Sequence, residues 1–200
     1  MILSGSTEHL RSLIAVLGIW IYSSFNYYLI GYYVKYFPGD VFVNFLMMTI
    51  AEVIAPIVLF LVQGKYVTKY VARYLLLGAA FCAFLYIVND HFGYVTLVPF
   101  IILGVRVFVK AVYSLGYYAN GKLFPILVKT TIFSLTNGVG RPFSALSTMV
   151  TEYTSSPGEI IMITSLIFMT VCNLLPNSDD TEQEIEKLKK MSNNKKEVEY

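Results

Sequence analysis

The chain has 200 residues, of which 56% are hydrophobic and only 14% are charged, and its mean hydropathy is +0.61. This balance excludes an ordinary soluble domain, in which about a quarter of the residues are charged, and it predicts an integral membrane protein. The net charge of +2 does not indicate nucleic acid as a partner. The two cysteines, Cys82 and Cys172, lie in apolar runs without the spacing of a disulfide framework or a zinc site.

Six apolar runs follow one another along the chain, each near the length of about 20 residues that crosses a bilayer. They cover residues 12–34, 41–62, 74–88, 94–118, 127–150 and 160–175, and turn or charge signals separate them. The first run is too long for a signal-peptide core and lacks a basic leader, so it predicts a permanent span. We therefore predict an all-α bundle of six transmembrane helices over residues 1–175, followed by a tail with a short charged helix over residues 176–200.

Lysines and arginines in the short loops indicate the orientation of the bundle. Lys65, Lys69 and Arg73 follow the second run, and Lys122 and Lys129 follow the fourth. Basic loops stay on the cytoplasmic side of a membrane. This distribution predicts that both termini are cytoplasmic, whether the protein lies in the plasma membrane or in an organelle membrane.

The sequence contains no pattern that indicates an enzyme. His9 and His91 stand alone, without a partner at metal-ligand spacing, and "NGVGRP" lacks the ending of a phosphate-binding loop. We therefore predict no catalytic residue, no metal and no cofactor.

Four ionisable residues fall inside the predicted spans, namely Glu52, Arg106, Lys110 and Arg141. Such residues are costly in a bilayer and commonly mark the pathway of a solute. Alternatively, they pair with one another or snorkel to the surface and only fix the helix packing. Lys110 lies near the cytoplasmic half of its span and fits either interpretation. For Glu52 and Arg141, apolar or small residues on both sides favour a water-lined cavity.

Aromatic residues crowd the first span in "WIYSSFNYYLIGYY". Tyr22, Phe25, Tyr28 and Tyr32 recur at spacings of three and four residues, which predicts a single aromatic face. An aromatic face beside a carboxylate suits a quaternary ammonium through cation–π attraction. For any single tyrosine, the alternative is ordinary helix packing or an interfacial aromatic belt.

In order and spacing, these stretches resemble the C-terminal half of the organic cation, carnitine and organic anion transporters of the major facilitator superfamily. "SSFNYYLIGYY" resembles the first span of that half, and "PGDVFVNFLMMTIAEV" resembles the next, with the family's glutamate falling on Glu52. Arg106, Asn120 and "LFP" at 123–125 fit the fourth and fifth segments, where Lys129 replaces an arginine. "LLPNSDDTEQEIE" resembles the family's exit from the membrane. The resemblance implies a half-bundle that takes part in the transport of a small organic ion.

The resemblance also implies roles for individual residues. At the position of Arg141, cation transporters of the family carry an Asp, whereas anion and carnitine transporters carry an Arg. Glu52 matches a glutamate of the cation and carnitine branches. Together they imply a carnitine-like zwitterion, with its cationic end at Glu52 and its carboxylate on the planar donor fork of Arg141. Phe25 and Tyr28 would be cavity aromatics, and Arg106 an internal charge partner.

The chain departs from the family in two respects. In the family's cytoplasmic box of the Asp-Arg-x-Gly-Arg-Arg type, Gly64 replaces the aspartate and Val67 the glycine, unless the box is matched instead by "TKYVAR" at 68–73. Lys122 replaces a glutamate of the family. The chain also resembles only one of the two halves between which such transporters bind substrate. The expected partners are therefore membrane lipid, the substrate, and either a missing N-terminal half or a second copy. The altered loop favours the alternative of a non-transporting scaffold or accessory subunit.

Overall fold

The computed structural model describes residues 7–63, 67–124 and 126–175, and all regular structure within these ranges is helical. The six helices are α1 (Thr7–Tyr33), α2 (Val41–Gln63), α3 (Thr68–Phe92), α4 (Val98–Leu123), α5 (Ile126–Tyr153) and α6 (Pro157–Val171). Short 3-10 turns at Val34–Tyr36, Val95–Leu97 and Cys172–Leu174 extend or precede them. The predicted all-α class is confirmed, and the charged helix predicted after residue 176 lies outside the described residues.

Five of the six helices are long and apolar enough to cross a membrane. The candidate spans are Leu10–Tyr36, Val41–Gln63, Thr68–Phe92, Val95–Leu123 and Pro157–Leu174. The protein is therefore an integral, multi-pass membrane protein, as the composition predicts. Helix α5 is not among these spans, because Lys129, Arg141, Glu152 and many hydroxyl residues lower its hydropathy. The prediction of a helix there is confirmed, but its composition does not identify it as a span.

Turn residues account for the helix ends on one side of the bundle. The Oδ1 atom of Asp40 accepts a hydrogen bond from the backbone N–H of Phe42 at 2.8 Å, which satisfies a free donor at the start of α2. Helix α3 ends at Gly93, whose φ of +72° is left-handed and whose N–H donates to the carbonyl of Asn89. These signals lie where the sequence predicts breaks between spans.

Helices α1 and α4 form the centre of the bundle. Helix α1 packs against α4, α5 and α6, helix α4 packs against α1, α2 and α3, and helices α3 and α6 pack together. Exchanging α1, α2 and α3 with α4, α5 and α6 reproduces this set of neighbours. Tyr27 contacts Arg106 whereas the earlier Trp20 contacts the later Tyr117, so α1 and α4 are antiparallel. The arrangement of neighbours is therefore that of an inverted three-plus-three repeat.

Glycines let neighbouring helices approach closely. A Cβ atom on Gly116 of α4 would lie 3.4 Å from both Ile19 and Trp20 of α1. A Cβ atom on Gly158 of α6 would lie 2.8 Å from the ring of Tyr86 on α3. Such small residues are the usual means of close helix packing in membranes, where dispersion contacts replace the hydrophobic driving force. Gly116 thus allows close packing of α1 on α4, and Gly158 allows close packing of α3 on α6.

Candidate functional site

A cluster of one acid and two bases joins α2 to α4. One carboxylate oxygen of Glu52 accepts hydrogen bonds from the guanidinium of Arg106, at 3.0 Å from Nη2 and 3.1 Å from Nε. The other oxygen lies 2.7 Å from the Nζ atom of Lys110. Both carboxylate oxygens are thus engaged, and the cluster carries one negative and two positive charges.

Helical spacing explains how α4 supplies both cations. Residues four apart lie above one another on the same face of an α-helix, and Arg106 and Lys110 have this spacing. Helix α2 packs against that face and presents Glu52 to both. The alternative that the intramembrane charges pair with one another is therefore realised for these three residues.

Arg106 is held on several sides. Its side chain is only 7% exposed, its Nη1 donates to the backbone carbonyl of Tyr27, and its Cζ atom lies 3.6 Å from the centre of the Tyr27 ring. The Nζ atom of Lys110 lies 5.0 Å from the same ring centre. A buried guanidinium is tolerated when its donors are satisfied and its face is covered by an aromatic ring. Arg106 therefore lacks the freedom to turn toward a solute.

Aromatic rings continue from this cluster along α4 and α1. Tyr113 stacks on Tyr27 with ring centres 5.5 Å apart, and its centre is 5.4 Å from the Nζ atom of Lys110. Trp20 packs edge-on against Tyr117 at 4.8 Å. The sequence interpretation did not single out Tyr113 or Tyr117. Their positions three and seven residues after Lys110 place them on its face of α4, which is the signal that could have identified them.

Arg141 occupies a different environment on α5. Its side chain is exposed, and its closest polar contact is a 3.5 Å approach of Nε to the Oδ1 atom of Asn137, at the outer limit of a hydrogen bond. Within the part of the chain that the structure describes, no carboxylate lies within ion-pair distance of it. The backbone of the adjacent Gly140 packs against the Trp20 carbonyl of α1, and the Trp20 ring contacts that of Tyr113. Arg141 is therefore an accessible cation on the helix that packs against the aromatic residues of α1.

The two predicted aromatic site residues differ in exposure. Tyr28 is 37% exposed, and its ring lies 5.3 Å from that of Tyr27 and 6.1 Å from that of Tyr32. Phe25 is half-buried and packs against the apolar core. Tyr28 thus belongs to the open aromatic surface, whereas Phe25 contributes mainly to packing. Tyr22, predicted on the same face, is buried and hydrogen-bonded to Ser165 of α6 at 2.8 Å.

The structure brings Glu52 and Arg106 together and leaves Arg141 on a neighbouring helix. The charges of Glu52, Arg106, Lys110 and Arg141 sum to +2, because the set contains one carboxylate and three cations. An anionic group would reduce this excess, whereas a simple cation would add to it. The geometry can thus receive a carboxylate at Arg141 and place an attached apolar or cationic group against the tyrosine rings.

The chain was compared with protein-family models and with curated proteins, and neither comparison gives a match. The family resemblance drawn from the sequence motifs therefore stays a prediction.

Proposed function

We propose that this protein takes part in the transmembrane transport of a small organic anion or carnitine-like zwitterion, as the C-terminal six-helix half of a major-facilitator transporter. The inverted arrangement of helix neighbours supports this proposal, since the halves of such transporters are built from inverted three-helix repeats. In this proposal α5 is a further transmembrane span, in addition to the five candidate spans. It crosses the bilayer with its polar face toward a water-filled cleft rather than toward lipid.

The observation that carries the proposal is the exposed Arg141 on α5, in a bundle whose intramembrane charges have an excess of cations. Arg141 binds the carboxylate of the substrate through its planar donor fork. Since both oxygens of Glu52 are engaged by Arg106 and Lys110, Glu52 acts by positioning these cations, and Tyr28 faces the ammonium end of a zwitterion. Arg141 on α5 thus recognises the anionic group of the substrate, and Tyr28 on the aromatic surface recognises its cationic group.

The substrate cleft requires a second six-helix body, because such transporters bind between two halves. The exposed residues Tyr28, Tyr32, Tyr117 and Arg141 lie on α1, α4 and α5 and form the face for that body. Either a separate N-terminal half or a second copy of this chain would supply it. Crosslinking through a cysteine introduced at Tyr32 distinguishes these partners by the mass of the product.

The orientation follows the basic residues at one end of the bundle. Lys69 and Arg73 lie near the start of α3, and Lys122 lies near the end of α4, so all three are at the same end. We place this end and both termini in the cytoplasm, with the plasma membrane as the site. A C-terminal epitope that is detected in intact cells without permeabilisation would contradict this orientation.

Uptake into proteoliposomes tests the function directly. If a second copy of the chain supplies the other half, the protein alone should accumulate radiolabelled benzoate and carnitine above the level of protein-free vesicles, and it should discriminate against tetraethylammonium. A preference for tetraethylammonium would contradict the charge argument. The absence of uptake for all three probes, with correctly folded protein in the vesicles, would contradict transport by this chain alone.

A second candidate is a membrane scaffold or accessory subunit without transport activity. It is favoured by the internal pairing of Glu52, since a satisfied ion cluster also serves to fix α2 against α4. A scaffold should migrate in a large stable complex on native gels, and Arg141→Gln should leave that complex unchanged. Loss of solute uptake in the same variant would instead favour the transporter.

A further inference from the structure

A second polar site lies between the start of α3 and the end of α6. A groove of about 380 Å³ lies between these helix ends. Five residues with polar side chains line it, namely Tyr70, Arg73, Tyr74, Thr170 and Asn173. The charge cluster and Arg141 are on α2, α4 and α5, so this groove is a separate feature of the molecule.

The groove is amphipathic along its length. Arg73, Tyr74 and Leu77 follow one another at spacings of one and three residues on α3, with Met169 facing them from α6. Arg73 lies five residues after the first residue of α3, which corresponds to about 7.5 Å along the helix axis. A cationic entrance is thus followed by an apolar wall at greater depth.

The cation at the entrance of the groove is Arg73. Arg73 is half-buried, and no carboxylate of the described residues forms an ion pair with it. Tyr70 and Tyr74 flank it with exposed rings, as is typical of residues at the level of lipid headgroups. Basic pockets between transmembrane helices on the cytoplasmic side bind anionic lipid headgroups.

We propose that this groove binds one anionic phospholipid, with its phosphate on Arg73 and an acyl chain along Leu77 and Met169. The hydroxyl of Tyr70 and the amide of Asn173 supply further donors to the headgroup. The arrangement matches both parts of a phospholipid, whereas free phosphate would use only the entrance. The site does not depend on transport and would stabilise the contact between α3 and α6.

Native mass spectrometry of the detergent-purified protein tests the site. After incubation with equal amounts of phosphatidylglycerol and phosphatidylcholine, the wild type should retain phosphatidylglycerol preferentially. Arg73→Gln should reduce this preference about fivefold, the change expected for one cation near the lipid surface. Arg73→Lys should keep most of it, and Leu77→Gln should weaken retention of both lipids.

Lys129→Gln is the matched control, because Lys129 is an exposed cation at the same end of the bundle on α5. An equal loss of preference in Lys129→Gln would mean that the attraction is a general charge effect, and it would overturn the proposal. Displacement of the lipid by millimolar inorganic phosphate would also overturn it, since the acyl chain would then play no part. A preference for phosphatidylglycerol that appears only after removal of residues 177–200 would also overturn the proposal. It would mean that the acidic residues of 179–186, rather than a lipid, occupy the groove in the full chain.

Discussion

The inverted repeat contains two equivalent helix pairs, α2 with α4 and α5 with α1. Each pair carries an arginine, but the two arginines differ in burial and in hydrogen bonding. Arg106 lies against α2 and is bound by Glu52, by the Tyr27 carbonyl and by the Tyr27 ring. Arg141 lies on α5, is exposed, and has one long contact to Asn137. The same chemical group is thus buried and fully engaged on one pair and accessible on the other.

This difference indicates a division of labour between structure and recognition. A buried guanidinium whose donors are satisfied contributes to a unique packing and is expensive to disturb. An accessible guanidinium is retained at a cost in the membrane and has donors available for a solute. We therefore expect substitutions at Arg106 to affect stability and substitutions at Arg141 to affect ligand binding.

The largest expected effect comes from Arg106→Met. It leaves Glu52 with Lys110 alone, and we expect the free energy of unfolding to fall by about 3–5 kcal/mol. Arg141→Met is the matched control and should stay within about 0.5 kcal/mol of the wild type. Reversible unfolding in mixed micelles measures both values. Similar losses in the two variants would remove the distinction between the arginines.

Glu52→Gln should be the next most damaging change. It leaves two cations without a carboxylate, and we expect a loss of about 2–3 kcal/mol, below the upper range for buried pairs because the Glu52 side chain keeps 30% exposure. The loss should be about 1 kcal/mol smaller in a Lys110→Met background, since one unpaired charge is then absent. Additive effects in this double-mutant cycle would show that Lys110 is not coupled to Glu52.

Glycine substitutions compare the packed and open faces without changing any charge. A Cβ on Gly78 would lie 2.5 Å from the Phe108 ring, so Gly78→Ala should lower the free energy of unfolding by about 1–3 kcal/mol. A Cβ on Gly138, one turn before Arg141, would meet no atom within 4 Å. Gly138→Ala should therefore be neutral or stabilising by up to about 1 kcal/mol. A destabilised Gly138→Ala variant would mean that this face of α5 is covered.

The smallest effects are expected where α1 and α5 end. Tyr33 is buried and donates a hydrogen bond to the carbonyl of Ser155 at 2.8 Å, so Tyr33→Phe should cost about 1 kcal/mol. Lys35 and Glu152 form an exposed ion pair at 3.2 Å, and Lys35→Ala should leave unfolding unchanged at physiological salt. Thermal unfolding of the two variants side by side checks the order. A larger loss in Lys35→Ala would contradict it.

Much of the fold could be predicted from the sequence, because apolar length alone defines membrane helices. The edges of α3 were predicted too short, at 74–88 instead of Thr68–Phe92, because Lys69, Arg73, Asn89 and Asp90 interrupt the apolar run without interrupting the helix. Polar residues at the interface keep helical hydrogen bonds while their side chains reach water.

The site could be predicted only in part. Glu52, Arg106 and Arg141 are conspicuous in any hydropathy profile, since charges are rare inside apolar runs. The pairing of Glu52 with Arg106 and Lys110 requires α2 to pack against α4, which does not follow it directly in the sequence. That choice is made by packing and cannot be obtained from spacing along the chain. For the same reason, the sequence does not predict the aromatic surface formed by Tyr27, Tyr113 and Tyr117, because it depends on the packing of α1 against α4.

The most direct test of the account is the equilibrium binding of benzoate to the protein in lipid nanodiscs, measured for the wild type, Arg141→Gln and Lys129→Gln. We predict that Arg141→Gln weakens binding at least about tenfold, as expected for the loss of a charge-assisted hydrogen-bonded pair. Lys129→Gln should bind as the wild type does, and both variants should unfold like it. Unchanged affinity in a folded Arg141→Gln protein would contradict the central claim that the accessible arginine on α5 is the anion-binding group.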